Sequence, residues 1–279
     1  MIVAHFSDLH LLSLVGARPW DFLGKRITGG LNLLFNRRGE FPEAVLRLLV
    51  DDVHGQAVDH VVVSGDLTNL AFPAELRRVR DVLGGLQLPP SALTIVPGNH
   101  DYYTRDSLRH DHFRRVIGGS FPALRVQGDL AVLALNSAHP SPPLMAWGTL
   151  GAEQIARAGA LLAGDECRGR FRLVVLHHPP HRDHVDWHNR LVDRQAFVAM
   201  LREVGAELVV HGHLHRPIRR QLDGPDGPIP VIGVGSGTWL SPRDPSRRAQ
   251  YNLYRIEGRR LVEVRTRRLG PDQRRFEPV

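Results

Sequence analysis

The 279-residue chain is poor in cysteine, in lysine and in long apolar runs. Its single cysteine, Cys167, excludes an internal disulfide framework and indicates a reducing compartment. No apolar run approaches the roughly 20 residues that a membrane-spanning helix needs. Asp8 is already a candidate site residue, so we expect no secretory signal peptide before it. These absences predict a cytoplasmic protein without a transmembrane helix.

The basic residues are almost all arginine. Lys25 is the only lysine, and the other 35 of the 36 basic side chains are arginines. The net charge of +7 suits an anionic partner, such as a phosphate ester, an acidic lipid or a nucleic acid. The basic pairs are scattered, with Arg37-Arg38 and Arg274-Arg275 far apart in the chain, and a dispersed pattern favours solubility over a nucleic-acid groove. We therefore expect a phosphate-bearing small molecule, and not nucleic acid, as the main substrate.

Side chains that commonly bind metals occur in five short runs, each directly after an apolar stretch rich in β-branched residues. A strand that ends in such a run places the polar side chain at the carboxyl edge of its sheet, where open α/β sheets bind ligands. Five such edges predict one shared metal site. The runs are Asp8-Leu9-His10, Gly65-Asp66, Gly98-Asn99-His100-Asp101, His177-His178 and Gly212-His213-Leu214-His215.

The order of predicted elements indicates an α/β fold. Strands and helices alternate from Ile2–Phe6 to Glu207–Val210, which predicts βαβ units with right-handed crossovers. From Ile218 onward the pattern is strand only, which predicts a second, mixed or antiparallel sheet. No polar linker divides the chain and both halves contribute candidate ligands, so we predict one domain over residues 1–279.

The five runs carry a family resemblance. D-x-H, GD, GNHD, a strand-end histidine and GHxH, in this order, resemble the calcineurin-like metallophosphoesterases, and Gly233–Thr238 is similar to the family's late Gly-Ser turn. The resemblance implies an α/β fold of four layers, α-β-β-α, around two mixed sheets. It also implies hydrolysis by a metal-bridging hydroxide that attacks phosphorus in line. Two divalent transition-metal ions (Mn, Fe, Zn or Co) suit this set of oxygen and nitrogen ligands.

The resemblance also assigns metal ligands residue by residue. One ion has its ligands in the first and last runs, the other in the third, fourth and last, and an aspartate bridges the two. The D-x-H and H-x-H spacings fit this role if the backbone is extended, because residues two apart then point the same way. The implied ligands are Asp8, His10 and His215 for one ion, Asp66 as the bridge, and Asn99, His177 and His213 for the other.

Two neighbouring histidines compete with these ligands. His178 directly follows His177, and both side chains cannot point into the centre from one strand end. The family's ligand comes first after the apolar strand, which favours His177. His211 could replace His213 in an H-x-H pair, but the Gly-His-x-His frame selects His213 and His215.

Catalytic and substrate-contacting roles are also predicted. His100 matches the family's substrate-side histidine, which would protonate the leaving oxygen or stabilise the charged phosphorane. By the same resemblance Asp101 orients His100, with a helix cap or surface turn as its alternative. Asn69, His181 and Arg182 are predicted to contact substrate, and for Asn69 a helix cap is the alternative.

Residues 11–41 are too long for an ordinary loop. Their apolar positions recur at helical spacing beside basic residues. They predict either a cap over the site, in peripheral contact with the inner membrane, or a helical hairpin packed on the core. The apolar positions are Trp20, Leu23, Ile27, Leu31 and Leu34.

The expected substrate is a phosphodiester or a pyrophosphate. The size and motif layout resemble bacterial cyclic-nucleotide phosphodiesterases, whereas Lys25–Asn32 and Tyr102–Thr104 resemble UDP-diacylglucosamine pyrophosphate hydrolases of lipid A synthesis. The substrate would thus be a cyclic nucleotide or a lipid-linked nucleotide. The alternatives are a catalytically silent scaffold, which the complete ligand set disfavours, and a nuclease, which would be expected to carry a further nucleic-acid-binding module.

Overall fold

The computed structural model describes residues 1–18, 20, 41–142, 144–240 and 244–279. Within these residues, twelve strands form two six-stranded sheets. The strands of the first sheet are β1 (Ile2–Phe6), β2 (His60–Val63), β3 (Leu93–Ile95), β10 (Gln250–Glu257), β11 (Arg260–Leu269) and β12 (Phe276–Pro278). Their order is β12-β11-β10-β1-β2-β3, parallel between β1, β2 and β3 and antiparallel elsewhere.

The second sheet is also mixed. Its strands are β4 (Ala123–Gln127), β5 (Leu130–Ala134), β6 (Phe171–Val175), β7 (Leu208–His211), β8 (Ile218–Leu222) and β9 (Ile229–Gly233). In the order β4-β5-β6-β7-β9-β8, the four central strands are parallel and the two edge strands are antiparallel to their neighbours. All central parallel strands of both sheets are covered on both faces, which explains their near-continuous apolar sequences.

Helices cover the outer faces of the sheets. The described α-helices are α1 (Glu43–Gly55), α2 (Pro73–Leu83), α3 (Arg105–Arg109), α4 (His112–Val116), α5 (Ala152–Ala163) and α6 (Arg194–Val204). Leu46 and Leu49 of α1 pack with Phe6 on the first sheet, and Phe197 of α6 packs with Val174 on the second.

Strand alternation places a third core between the sheets. Val61 and Val63 of β2 face the helices, whereas Val62 faces the second sheet, because successive strand residues point to opposite sides. Val62 shares its cluster with Leu173 and Val210 of the second sheet. Three apolar cores between four layers confirm the predicted α-β-β-α sandwich of two mixed sheets.

The second sheet is mixed, as predicted, but the strand-rich tail does not form it alone. Strands β8 and β9 extend the second sheet, whereas β10 pairs antiparallel with β1 and brings β11 and β12 into the first. Most of β10 is buried, as expected for a strand inside a sheet that is covered on both faces. Each sheet is therefore completed by part of the tail.

The predicted amphipathic segment falls largely outside the described residues. Leu23, Ile27, Leu31 and Leu34 all lie there, so its prediction as a cap or a core hairpin stays a prediction. Trp20 is described, and its side chain is exposed. Among the helices that the structure describes, none has the length and apolar character required to cross a bilayer.

Candidate metal centre

The seven predicted ligands follow the carboxyl ends of parallel strands in both sheets. Four come from the loops after β1, β2 and β3 of the first sheet, and three from the loops after β6 and β7 of the second. Both sheets therefore contribute predicted ligands to the same site. The first sheet supplies Asp8, His10, Asp66 and Asn99, and the second supplies His177, His213 and His215.

The backbone of these loops is not extended, so the geometry assumed for the D-x-H and H-x-H spacings was wrong. Five of the ligand residues have a left-handed conformation, which costs on the order of 1–3 kcal/mol for a non-glycine residue. Hydrogen bonds offset part of this cost, because the N–H groups of Leu9 and His10 both donate to the Asp66 carbonyl, at 2.8 and 3.0 Å. The five residues are Asp8 (φ 56°), His10 (φ 45°), Asp66 (φ 51°), His213 (φ 72°) and His215 (φ 50°).

The turn after β9 makes hydrogen bonds to the backbone of the loop after β1, which carries Asp8 and His10. The Ser236 hydroxyl donates to the Asp8 carbonyl at 2.6 Å, and the Thr238 hydroxyl donates to the Leu9 carbonyl at 2.7 Å. Both side chains are fully buried. Sequence reasoning found the Gly233–Thr238 motif but missed this positioning role of its hydroxyls.

Two glycines allow the ligand loops to approach one another. A Cβ atom at Gly98 would collide with the Asp66 carboxylate, and one at Gly212 would collide with the Ser7 hydroxyl and crowd the Asp8 carboxylate. Any larger residue at either position would displace a predicted ligand. Close packing of backbone against side chain is therefore the reason that glycine precedes Asn99 and His213.

One group of ligand atoms surrounds the first predicted metal position. The Nε2 atoms of His10 and His215 lie 2.9 Å apart, and His215 Nε2 lies 3.3 Å from Asp8 Oδ1. These ligand atoms and a carboxylate oxygen of Asp66 all lie within 4.8 Å of one another. Asp8 and His10 are almost fully buried.

A second group of ligand atoms lies beside the first. His177 Nε2 is 3.1 Å from Asn99 Oδ1 and 3.2 Å from His213 Nδ1. The opposite ring nitrogens donate to backbone carbonyls, from His177 Nδ1 to Ser64 at 2.8 Å and from His213 Nε2 to Asn189 at 2.9 Å. These bonds fix each tautomer and direct the remaining nitrogen inward, an arrangement typical of metal-binding histidines.

Asp66 joins the two groups. Its Oδ2 atom lies 3.8 Å from His10 Nε2 and 3.4 Å from His177 Nε2, so a single oxygen faces both groups. The other oxygen, Oδ1, accepts the backbone N–H of His100 at 2.8 Å, which fixes the carboxylate in this orientation. The position is the one that a bridging ligand requires.

The electrostatics of the cluster suit cations. Burial raises the pKa of Asp66, but His177 and His100 outweigh it and hold the pKa well below its usual value. Burial lowers the pKa of His177, but the Asp66 carboxylate raises it to about 9. Burial, and then the charge of His177, lower the pKa of His213 to about 3, so His177 is the imidazole of this pair that carries a second proton, which a metal ion bound at its Nε2 would displace. Ionised carboxylates and converging imidazoles thus fit divalent metal ions.

His178 also lies near His177 and His213. Both of its ring nitrogens, however, have hydrogen-bond partners outside the group of predicted ligands. Its Nδ1 is 2.8 Å from the Ser137 hydroxyl and its Nε2 is 3.1 Å from the Ala146 carbonyl. Both nitrogens are thereby occupied. The preference for His177 over His178 has a structural reason that the sequence did not supply.

We expect His177→Ala to lose one bound metal ion and His178→Ala to keep both. Of these two adjacent histidines, His177 directs a nitrogen at Asp66 Oδ2, whereas both nitrogens of His178 are held by Ser137 and Ala146. Metal content after dialysis, measured by atomic emission on the folded fraction, would check this. Because the two imidazoles are adjacent and fully buried, each variant is the control for the other. A folded His178→Ala variant with one ion would contradict the assignment.

The His100 ring lies at the edge of this cluster. Its Nδ1–H donates to the Asn69 carbonyl at 2.7 Å, and its face stacks on Tyr103 with ring centroids 5.2 Å apart. The ring also meets His10 edge to face at 4.7 Å. The Asn69 carbonyl and the Tyr103 ring are positioning contacts that sequence reasoning did not identify.

Asp101 does not bond to the His100 side chain, so its predicted orienting contact is corrected. Its carboxylate accepts the N–H groups of Leu67, Thr68 and Gly98, at 3.2, 3.0 and 2.8 Å. Burial, and then the Asp66 charge, raise the pKa of Asp101 to about 7 despite these donors. The residue ties the loop after β2 to the loop after β3, and it supports His100 only through the backbone.

The three predicted substrate contacts lie around the cluster in different ways. Asn69 is buried, and its carbonyl, not its side chain, reaches the His100 ring. His181 is also buried, with Nε2 3.2 Å from His211 Nε2. Arg182 is exposed and lines a pocket with His181.

An aromatic wall flanks the first group of ligands and was missed from the sequence. The Phe41 ring lies 5.0 Å from His10 and stacks on Trp239 at 6.3 Å. Trp239 in turn lies 6.0 Å from His215, and the Arg247 guanidinium lies over its ring at 4.3 Å. No motif marks Phe41 and Trp239, because only the fold brings them together.

Comparison with known proteins agrees with this geometry. The sequence profile of the calcineurin-like phosphoesterases matches residues 1–217. Over 101 residues, 36% of this chain, the sequence is 51% identical to the glycerophosphodiester phosphodiesterase GpdQ of Enterobacter lignolyticus (strain SCF1). That match spans 30% of the relative's length, less than a third of it.

Two solved structures share the fold over the whole chain. A dimetal phosphatase from Danio rerio superimposes with a TM-score of 0.62 at 15% identity, covering 100% of this chain and 98% of that one. The purple acid phosphatase PPD1 from yellow lupin (Lupinus luteus) seeds gives 0.61 at 12% identity, with 100% and 52% coverage. The profile match, which covers more than three quarters of the chain, establishes that this chain belongs to the calcineurin-like phosphoesterase family.

Proposed function

We propose that the protein hydrolyses phosphodiester or pyrophosphate bonds at the cluster of seven side chains described above. The observation that supports this most directly is the position of Asp66 Oδ2, which faces both groups of ligand atoms at once. Bound there, two divalent ions would activate a water molecule and neutralise the charge of the phosphate. The proposed ligands are Asp8, His10 and His215 on one side, Asp66 between, and Asn99, His177 and His213 on the other.

His100 is proposed to protonate the leaving oxygen. Its Nδ1–H is held by the Asn69 carbonyl, so Nε2 is the nitrogen that exchanges a proton with substrate. The Tyr103 ring and the His100 backbone bond to Asp66 fix the imidazole beside the bridging carboxylate. A positioned imidazole of this kind suits general acid catalysis. Asp101 is proposed to position His100 through the backbone of Gly98 and Thr68.

A lipid-linked substrate is favoured over a small cyclic nucleotide by the surface near the first ligand loop. Leu14, Val15 and Trp20 are 48%, 80% and 60% exposed, and they follow His10 by four, five and ten residues in the sequence. Large exposed apolar patches commonly contact lipid or another apolar ligand. We propose a UDP-diacylglucosamine-type or other lipid-linked phosphoester, and peripheral membrane contact through residues 11–41.

A substrate panel tests the proposal. The protein, dialysed with Mn²⁺, would be assayed on an aryl phosphomonoester, bis(4-nitrophenyl) phosphate, a glycerophosphodiester, cyclic AMP and a UDP-diacylglucosamine. Turnover of diesters or of the pyrophosphate above the monoester supports the proposal. A protein that binds no metal ion and turns over none of these compounds would favour the scaffold alternative.

We expect Val15→Ser combined with Trp20→Ser to weaken binding to anionic liposomes by at least roughly tenfold, since burying an apolar side chain contributes about 1.5–3 kcal/mol. Both side chains are already exposed, so thermal stability should change little. Liposome co-sedimentation and turnover of bis(4-nitrophenyl) phosphate would measure the two effects separately. Val126→Ser, at an exposed valine of β4, is the matched control. Equal liposome binding by all three proteins would contradict the membrane contact.

A further inference from the structure

A pocket of about 430 Å³ opens beside the second group of ligand atoms, between His181 and Gln195. Three arginines line it, and among the described residues that form its wall there is no carboxylate. We call it the arginine pocket. The three residues are Arg182, Arg190 and Arg194.

The charges of these arginines are not neutralised within the part of the chain that the structure describes. No carboxylate there lies within ion-pair distance of Arg182, Arg190 or Arg194. Burial, and then the charges of Arg182 and Arg202, lower the pKa of Arg194, so the guanidinium groups repel one another. Like charges gathered around a cavity favour an anion inside it.

The acidic residues between His181 and Gln195 contact groups outside the arginine pocket. Asp183 pairs with Arg220 at 2.5 Å. Asp193 accepts the backbone N–H of Gly151 at 2.7 Å, at the start of α5. Asp186 is mostly exposed and approaches only a neighbouring histidine. The pocket therefore keeps its positive potential although three carboxylates lie close to it in sequence.

His181 is a buried member of the wall. It is 6% exposed, its Nε2 lies 3.2 Å from His211 Nε2, and the Asp183 backbone is a further hydrogen-bond partner of the ring. Contacts within the chain thus hold this ring in place, and the arginines supply the charge of the pocket.

The pocket is joined to the metal centre through the backbone. The carbonyl of Asn189 accepts from His213 Nε2, and the next carbonyl, that of Arg190, accepts the Gly148 N–H at 2.9 Å. Consecutive Cα atoms lie only about 3.8 Å apart. At the other end of the segment, His181 follows His177 by four residues. The wall of the arginine pocket therefore lies one residue away from the carbonyl that contacts His213.

Apart from Gln195 and His181, the remaining wall is apolar. Trp187 is 60% exposed, and Val185 and Leu191 also line the pocket. An exposed indole packs well against an organic group and can also stack with a guanidinium. The pocket therefore suits an anion attached to a carbon chain better than a free inorganic ion.

We propose that the arginine pocket binds a second anionic group of the substrate, a terminal phosphate or carboxylate on the group esterified to the scissile phosphate. Arginine pairs with either anion in the same forked geometry, so both share the recognition chemistry. The inference rests on the proposed phosphodiesterase function. It adds that substrates with a second anion are selected over those without one.

The test uses 4-nitrophenyl alkyl phosphodiesters whose alkyl chain has between two and six carbons and ends in a phosphate, a carboxylate or a hydroxyl. For wild-type protein with Mn²⁺, one chain length should give an anion-terminated ester a KM roughly tenfold below that of its hydroxyl counterpart. The phosphate and carboxylate series decide which anion the pocket prefers. In the double variant Arg182→Gln with Arg194→Gln, the ratio of the two KM values should fall to about one, because two of the three guanidinium charges of the pocket are removed.

Arg274→Gln, at an exposed arginine near the carboxyl terminus, is the matched control and should keep the wild-type preference. The hydroxyl-terminated ester reports whether each variant retains a working metal centre. The proposal is overturned if no chain length gives a preference, or if the double variant keeps it. A wild-type protein that cleaves no ester of any series would instead refute the phosphodiesterase function itself.

Discussion

Replacing Asp66 by asparagine is expected to abolish hydrolysis and to reduce the bound metal from two ions to at most one. The substitution keeps the shape of the side chain, and its amide oxygen can still accept the His100 N–H. What it removes is the charge on the oxygen that faces His10 and His177 at 3.8 and 3.4 Å. Losing an outer partner of a metal ligand typically costs roughly 10–100-fold, and the loss of a bridge should exceed that.

The measurements are metal content after dialysis and turnover of bis(4-nitrophenyl) phosphate. Asp193→Asn is the control, since this carboxylate accepts backbone N–H groups near the site without facing the ligand atoms. It should lower thermal stability and retain two ions. If Asp66→Asn retained two ions as firmly as wild type, Asp66 would not be the bridge.

Replacing His100 by glutamine is expected to keep both metal ions and to slow turnover by about 10²–10⁴-fold, the usual contribution of a general acid. The loss should be large for esters with alkyl leaving groups, which must be protonated as they depart. It should be small for bis(4-nitrophenyl) phosphate, because 4-nitrophenolate leaves without a proton. The dependence on leaving group separates a proton donor from a residue that only binds the phosphate.

His110→Gln is the matched control for His100, because it changes a half-exposed histidine that pairs with Asp106 away from the ligand atoms. It should leave metal content and both rates unchanged. The pH dependence of alkyl-ester hydrolysis gives a further readout. In the wild type the rate should fall as His100 loses its proton at higher pH, and this decrease should be absent from the His100 variant. Equal losses on activated and unactivated esters would remove the proton-donor role.

The fold and the position of the site could be predicted from local sequence because both depend on strand ends. Polar runs after apolar strands, such as Asp8-Leu9-His10, mark the carboxyl edge of a sheet. The four-layer arrangement followed from the alternation of strands and helices and from the family resemblance. The sheet that each tail strand joins could not be predicted in this way. The sequence of β10 is that of an ordinary strand, and its partner β1 lies almost the whole chain away.

Details of the site depended on contacts between distant residues. Nothing in the order Asn99-His100-Asp101 shows that the histidine ring bonds to Asn69 and the aspartate to backbone N–H groups. Likewise, the left-handed conformation of Asp8 arises because the loops after β1 and β2 exchange backbone hydrogen bonds. Local pattern identified which side chains take part, but long-range pairing decides how each is held.

The left-handed ligand residues also bear on what a glycine would do to the stability of the fold. At Asp8 and Asp66, glycine would relieve the backbone cost. It would also remove the carboxylates that accept the N–H groups of His213 and His100, at 3.0 and 2.8 Å. Relief of strain and loss of a buried hydrogen bond therefore oppose each other at both positions, and alanine, which keeps the strain but loses the bond, separates the two effects in the free energy of unfolding.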